Sequence, residues 1–215
     1  MDSLTPTKKQ IFAGTKPIRM GIFSSSGSGK SHLIREILTN KEFGLQDKIH
    51  PDHCFIICPT LKLDTAYDDI KENLESRSTK DHQFDETKQM FHENLEQNMI
   101  NTYNMIFEEQ AGKKSAKLPM DDYLIILDDI ALQIPTATQH NFLTMMLTKI
   151  RHLNCSIIIA LQHYKLLSSM GRNQLSHIIT FNISLNDELR KITNDFSGSL
   201  KKEQFLEIYE HATRQ

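Results

Sequence analysis

No apolar run in this 215-residue chain approaches the roughly 18 residues a bilayer-spanning helix needs. The stretch from Met1 to Lys16 is polar, carries Lys8, Lys9 and Lys16, and has none of the apolar core of a secretory leader. These absences predict a chain that is not secreted and has no membrane span. Cysteine is scarce. Cys54, Cys58 and Cys155 all fall in apolar runs, and no second ligand pair with zinc spacing follows Cys54 and Cys58, so buried reduced thiols are expected. Charge of one sign is also missing: 25 basic against 27 acidic residues give a net charge of −2. That balance leaves no global electrostatic footprint for nucleic acid, so any contact with DNA must come from a local patch or from an assembled ring. Internal repeats and low-complexity tracts are absent as well.

The composition, 39% apolar and 24% charged, is that of one globular domain large enough to bury a core. Apolar runs bounded by turn residues alternate with helical patterns. Strands are predicted at Ile18 to Phe23, Cys54 to Cys58, Tyr123 to Leu127, Ser156 to Leu161 and Ile178 to Ile183. Helical spacing follows at Leu33, Ile34, Ile37 and Leu38, and again at Leu95, Met99, Tyr103 and Ile106, where one long amphipathic helix is expected to begin near Phe91. Further helices are expected over Phe142 to Ile150, Asp187 to Asp195 and Lys201 to His211. The stretches Glu75 to Glu86 and Gly112 to Lys117 (GKKSAK) are expected as exposed connections, the second a basic loop. The alternation implies an α/β fold: a mainly parallel sheet covered on both faces. The expected organisation is an N-terminal arm over 1–17, one domain over 18–200, and a C-terminal helix or tail over 201–215.

Between the first strand and the first helix lies Ser24-Ser25-Ser26-Gly27-Ser28-Gly29-Lys30-Ser31. A phosphate-binding loop needs a tight turn, several inward N–H groups and a lysine behind them. Gly27 and Gly29 supply the turn, and the helix opening at Lys30 supplies free N–H groups and a positive dipole end. Ser26, Gly27, Ser28, Gly29, Lys30, Ser31 and His32 are the expected nucleotide contacts, with Lys30 on the outer phosphates and the Ser31 hydroxyl on Mg²⁺. The usual first glycine of the pattern is Ser24 here, which predicts a slightly different approach turn.

The third strand ends in Asp128-Asp129. In P-loop ATPases the strand beside the loop ends in an aspartate that holds Mg²⁺, the role expected of Asp128; the following acid, Asp129, would orient or deprotonate the attacking water. Gln162, at the tip of the fourth strand, is placed to orient water beside the γ-phosphate. Arg151 and Arg172 flank that strand, and each is weighed equally as a finger toward a neighbour's ATP or as a structural, solvated arginine.

Taken together, the blocks Ser26–Ser31 (SGSGKS), Leu127-Asp128-Asp129 and Arg151-His152-Leu153-Asn154-Cys155-Ser156 running into Gln162 resemble the genome-packaging ATPases of large DNA viruses, virophages and polinton-type elements. That is the poxvirus-type branch of the FtsK–HerA superfamily. Arg172 to His177 and Phe181-Asn182 are similar to the segment that follows. The resemblance covers about residues 18 to 185 and implies a three-layer P-loop NTPase of the RecA/FtsK–HerA type. It further implies ATP and Mg²⁺ as cofactors and a homo-oligomeric ring, pentamer or hexamer, that threads double-stranded DNA into a capsid. It implies residence in the host cytoplasm or virus factory, or association with the virion, with a capsid or vertex protein as partner. The basic segment 112–117 is then a candidate channel loop.

Three other readings share the P-loop. A nucleotide or nucleoside kinase would carry an arginine-rich lid, and the arginines here are few and scattered. A GTPase needs an Asn-Lys-x-Asp base reader, and the Asn40-Lys41 pair is followed by Glu42-Phe43. A virion assembly factor that binds nucleotide without turnover stays open at this point.

Overall fold

The computed structural model describes residues 12, 16–130, 137–183, 186–198 and 200–213, without the side chains of 137–141 and 186. Among them, six strands form one sheet: β1 (Arg19–Phe23), β2 (Cys54–Ile57), β3 (Met90–Phe91), β4 (Tyr123–Asp128), β5 (Cys155–Leu161) and β6 (His177–Thr180). Their order is β3-β2-β4-β5-β1-β6, and every pairing is parallel. The five expected strands are all present; the two-residue edge strand β3 is too short to give a periodic signal. No described helix is long and apolar enough to cross a membrane.

The crossovers carry α1 (Lys30–Thr39), α2 (Ala66–Ser76), the single-turn α3 (Glu86–Gln89), α4 (Leu95–Ser115), α5 (Ala137–Lys149) and the short α6 (Ser169–Arg172). Strand alternation decides which face each side chain meets. Along β4, Leu124 and Ile126 join Met20, Ile22, Ile56 and Ile158 under α1 and α2. Tyr123, Ile125 and Leu127 join Ile157 and Ile159 under α4 and α5 on the other face. Both faces are therefore buried, which is why β4 and β5 read as unbroken apolar runs. Cys54, Cys58 and Cys155 are buried and free, as expected.

Two expectations for the middle of the chain are corrected. The stretch after Leu61 holds a second helix, α2, and the long helix starts at Leu95 because Phe91 belongs to β3. Most of the segment 112–117 is no loop: Gly112 to Ser115 form the last turn of α4, and only Ala116 and Lys117 turn out of it. Gln110 ties that end down by donating to the carbonyls of Asp121 (2.6 Å) and Leu153 (2.9 Å). Lys113 is paired with Asp121 and Glu109, and basic residues suit the negative end of the helix dipole. Lys117 then adopts a left-handed φ of 57°, and the Leu118 amide donates back to the Lys113 carbonyl at 2.9 Å, closing the helix.

At the chain ends, most of the expected arm over 1–17 lies outside the described residues. Phe12 is described, buried, and stacked on Phe43 with centroids 5.9 Å apart. After β6 come α7 (Asn186–Phe196) and α8 (Lys202–Thr213). Tyr209 on α8 donates to the Phe181 carbonyl (2.9 Å) and accepts from the Ile183 amide (2.6 Å), so the last helix is fastened to the chain leaving β6.

Ile158 lies at the sheet centre, fully buried and in register between Met20 and Ile126. Ile158→Ala should lower the unfolding free energy by about 2–5 kcal/mol, measured by urea denaturation.

Candidate functional site

Parallel strands all end at one edge of the sheet, and the strand order determines which tips are neighbours. Here β5 separates β1 from β4. The aspartate-bearing strand is thus not the direct neighbour of the loop-bearing one, as the sequence reading assumed; Gln162, just beyond β5, stands between them.

The loop after β1 enters as an extension of the sheet. The Ser24 amide donates to the Leu161 carbonyl at 3.2 Å, and Ser24 is not among the described residues with positive φ. Glycine is therefore not required there. It is required at Gly27 (φ 74°) and Gly29 (φ 95°), which are left-handed and face open space where a side chain would project. Ser28 braces the turn by donating to the Ser25 carbonyl at 2.7 Å. The amide N–H groups of Gly27, Ser28, Gly29, Lys30 and Ser31 have no backbone acceptor among the described residues. They are free to receive an anion at the start of α1. Lys30, largely buried, donates from Nζ to the Ser24 (2.9 Å) and Ser25 (2.8 Å) carbonyls. Burial pulls its pKa down, against the raising charges of Asp128 and Asp129.

Asp128 is almost fully buried at the end of β4. Its Oδ2 accepts from Ser31 Oγ at 2.9 Å and from the Tyr67 hydroxyl at 2.5 Å. Burial raises its pKa, outweighing those hydrogen bonds and the Lys30 charge, which act downward; Asp129 adds to the rise. Asp128 forms no ion pair among the described residues. A buried carboxylate without a cation, beside a serine hydroxyl, is an oxygen donor set that fits Mg²⁺. Asp129 follows in a left-handed conformation (φ 53°), which aspartate tolerates. Its Oδ1 accepts from Gln162 Nε2 at 2.7 Å, joining the tips of β4 and β5.

These groups line one cavity of about 590 Å³ at the sheet edge, which also takes in His32, Arg35, Thr60 and the Leu63–Ala66 segment. Of the expected nucleotide contacts, only Ser28 lies outside its lining. The two arginines lie elsewhere. Arg151 sits in the turn before β5, at the opposite end of the strand from Gln162, and is exposed. Arg172 donates from Nε to Asp195 (3.0 Å) and from its terminal nitrogen to the Leu167 carbonyl (2.7 Å). Its guanidinium also lies over the Tyr164 ring at 4.8 Å, so it fastens α7 to the segment after β5.

Tyr67 is the functional residue that sequence reading missed. Ala66, Tyr67, Ile70 and Leu74 have helical spacing and are all buried, and Asp64 accepts from the Ala66 amide at 3.0 Å just ahead of α2. That signal was available, but the surrounding charges obscured it. A phenol aimed at an aspartate sixty-one positions away has no signature in one sequence.

A glycine-containing loop between strand and helix, a buried aspartate beside the loop serine, and a glutamine on the intervening strand define the protein as a P-loop NTPase by fold and site layout. The profile of the family described as Poxvirus A32 protein matches residues 9–213, and the chain belongs to that family. It is 30% identical over 177 residues to the DNA packaging protein OPG160 of Variola virus, an alignment covering 80% of this chain and 55% of that protein. The chain thus spans about half the length of the relatives it matches. Among solved structures, it resembles B204, the DNA-packaging ATPase from Sulfolobus Turreted Icosahedral Virus, with a TM-score of 0.56 at 15% identity over 86% of this chain and 84% of that one. The genome packaging NTPase B204 from Sulfolobus turreted icosahedral virus 2, in complex with ATP-gammaS, gives 0.52 at 17% identity over 86% and 88%. At such identities the likeness is one of fold.

Because the folded Asp128 carboxyl titrates above its unfolded counterpart, protonating it favours the folded state. That contribution is complete below the unfolded carboxylate range and is lost as pH rises through the folded value. Asp128→Asn should therefore melt at higher temperature than the natural protein at pH 7, the gap closing as the pH falls, as scanning calorimetry across pH would show.

Tyr67→Phe removes one of two hydroxyl donors to a buried carboxylate. It should cost about 1.5–3 kcal/mol of stability at pH 7, read by urea denaturation.

Proposed function

We propose that this chain is an ATP-hydrolysing motor that moves double-stranded DNA into a viral capsid. The observation that carries the catalytic part is the Gln162–Asp129 hydrogen bond of 2.7 Å at the tips of β5 and β4, in the same cavity as Lys30 and Asp128. Two side chains able to orient water are thereby held together beside a cradle for phosphates. Membership of the Poxvirus A32 family and the DNA packaging names of the relatives and of B204 support the coupling to DNA.

The residues divide the work by position. The loop amides and Lys30 bind and neutralise the phosphates of ATP, and Lys30 gives up its two carbonyl partners to do so. Ser31 and Asp128 would hold Mg²⁺, which supplies charge neutralisation on the phosphate oxygens. Asp129 accepts a proton from, or orients, the attacking water, with Gln162 keeping its carboxylate in place. Tyr67 keeps Asp128 oriented. A kinase reading gains no support, since among the described residues no arginine lines the cavity apart from Arg35, which is paired with Asp69 at 2.8 Å.

The ring, its pentameric or hexameric count, the capsid or vertex partner and residence in the host cytoplasm or virus factory belong to the same proposal. Balanced charge suits a ring that grips DNA only along its channel. With Gly112 to Ser115 folded into α4 and Lys113 paired, the exposed Lys114 and Lys117 are what that region can offer to DNA. Between the two arginines, Arg151 is the exposed one and suits a finger toward a neighbouring subunit, whereas Arg172 is committed to Asp195.

ATP turnover should rise on adding double-stranded DNA, with a ring-sized species forming in an ATP analogue. Lys30→Ala and Asp128→Asn should each reduce turnover by at least about 100-fold. Unchanged turnover in both variants would refute the catalytic assignment. Arg151→Ala subunits mixed with unmodified ones should inhibit out of proportion to their share, and Arg172→Ala subunits in proportion.

A further inference from the structure

At the opposite edge of the sheet from the phosphate loop, three imidazoles and a carboxylate converge. Asp52 and His53 belong to the 3₁₀ turn Pro51–His53 that leads into β2, and His50 precedes it. His82 reaches in from the connection between α2 and α3. Asp52 Oδ1 lies 3.1 Å from His82 Nδ1, and Asp52 Oδ2 lies 3.8 Å from His53 Nε2. The ligand atoms of Asp52, His53 and His82 all fall within 4.8 Å of one another. The His50 ring is stacked on His82 with centroids 3.7 Å apart and planes within 5°.

This geometry points to a zinc-class divalent cation site formed by Asp52, His53 and His82. Ligands about 2.0–2.1 Å from Zn²⁺ at tetrahedral angles stand roughly 3.3 Å apart, close to the spacings here. Imidazole donors select zinc-like ions over Mg²⁺ or Ca²⁺.

The ligands are already held in place, as a metal site requires. His53 is stacked on Tyr123 at 4.3 Å. Gln89 donates to the carbonyls of Pro51 (2.8 Å) and Cys54 (3.3 Å), fixing the turn from both sides. His82 closes a small loop with Thr79, accepting from its amide at 2.9 Å and donating its own amide to Thr79 Oγ1 at 3.1 Å. A second grouping of His53 with Glu109 and Asp121 is less suited, because Lys113 already neutralises both carboxylates. A cation here would staple the connection after α2 to the start of β2, far from the phosphates.

The test uses the full chain without a histidine tag and Zn²⁺ alone as the probe. Calorimetry and metal analysis after dialysis should show one equivalent of zinc. Zinc at a hundredfold excess over Kd should raise the melting temperature by about 5–10 °C. His82→Ala and Asp52→Ala, both at partly exposed positions, should fold as the natural chain does without metal. Each should weaken binding at least roughly 100-fold and abolish the thermal shift. Asp128→Asn should retain the full equivalent, separating this site from the nucleotide site. Absence of stoichiometric binding, affinity unchanged in both ligand variants, or loss of the equivalent in Asp128→Asn would each overturn the assignment.

Discussion

The site depends on one buried carboxylate. Asp128 ends a strand that is buried along its whole length, where burial opposes its charge, and two hydroxyls on two different helices hold it in one orientation. That arrangement requires α1 and α2 to lie side by side on the same face of the sheet, so that Ser31 and Tyr67 arrive together. Arg35 and Asp69 join the same two helices at the surface at 2.8 Å. A carboxylate kept in this state is a cost to the fold, which marks that residue as held there for something other than stability.

Strand order provides the second constraint. With β5 between β1 and β4, the phosphate loop and the aspartate pair are set one strand apart, and the intervening tip places Gln162 against Asp129. The continuation of β5 then turns through Tyr164 to Asp195 and Arg172. Gln162 therefore links the cavity to the C-terminal helices by covalent adjacency. His163 carries the same connection, lying 3.3 Å from the buried Glu188 of α7.

Much of this was legible in the sequence because the signals are local. Unbroken apolar runs marked β4 and β5, and the glycines at 27 and 29 stand where the backbone is left-handed. Ser24 departs from the usual glycine, and the backbone there does not require one, because that position has no positive φ. The segment 112–117 misled, since Gly112 and three lysines look like a loop until Gln110 and Lys113 are seen to bind Asp121 and hold the helix closed. The arginines could not be ranked either. Only the contacts of Arg172 with Asp195 and Tyr164 separate it from the exposed Arg151.

The sequence by itself determined the α/β class, the phosphate loop, the acidic pair and the family resemblance, because each is written in neighbouring residues or in a period of two or 3.6. Tertiary structure alone decided that β5 intervenes between loop and aspartate, that Tyr67 orients Asp128, that Gln162 meets Asp129, and that His53, His82 and Asp52 share one corner. Those are pairings between residues tens of positions apart, brought together by strand order and helix placement, and chain order carries no record of them.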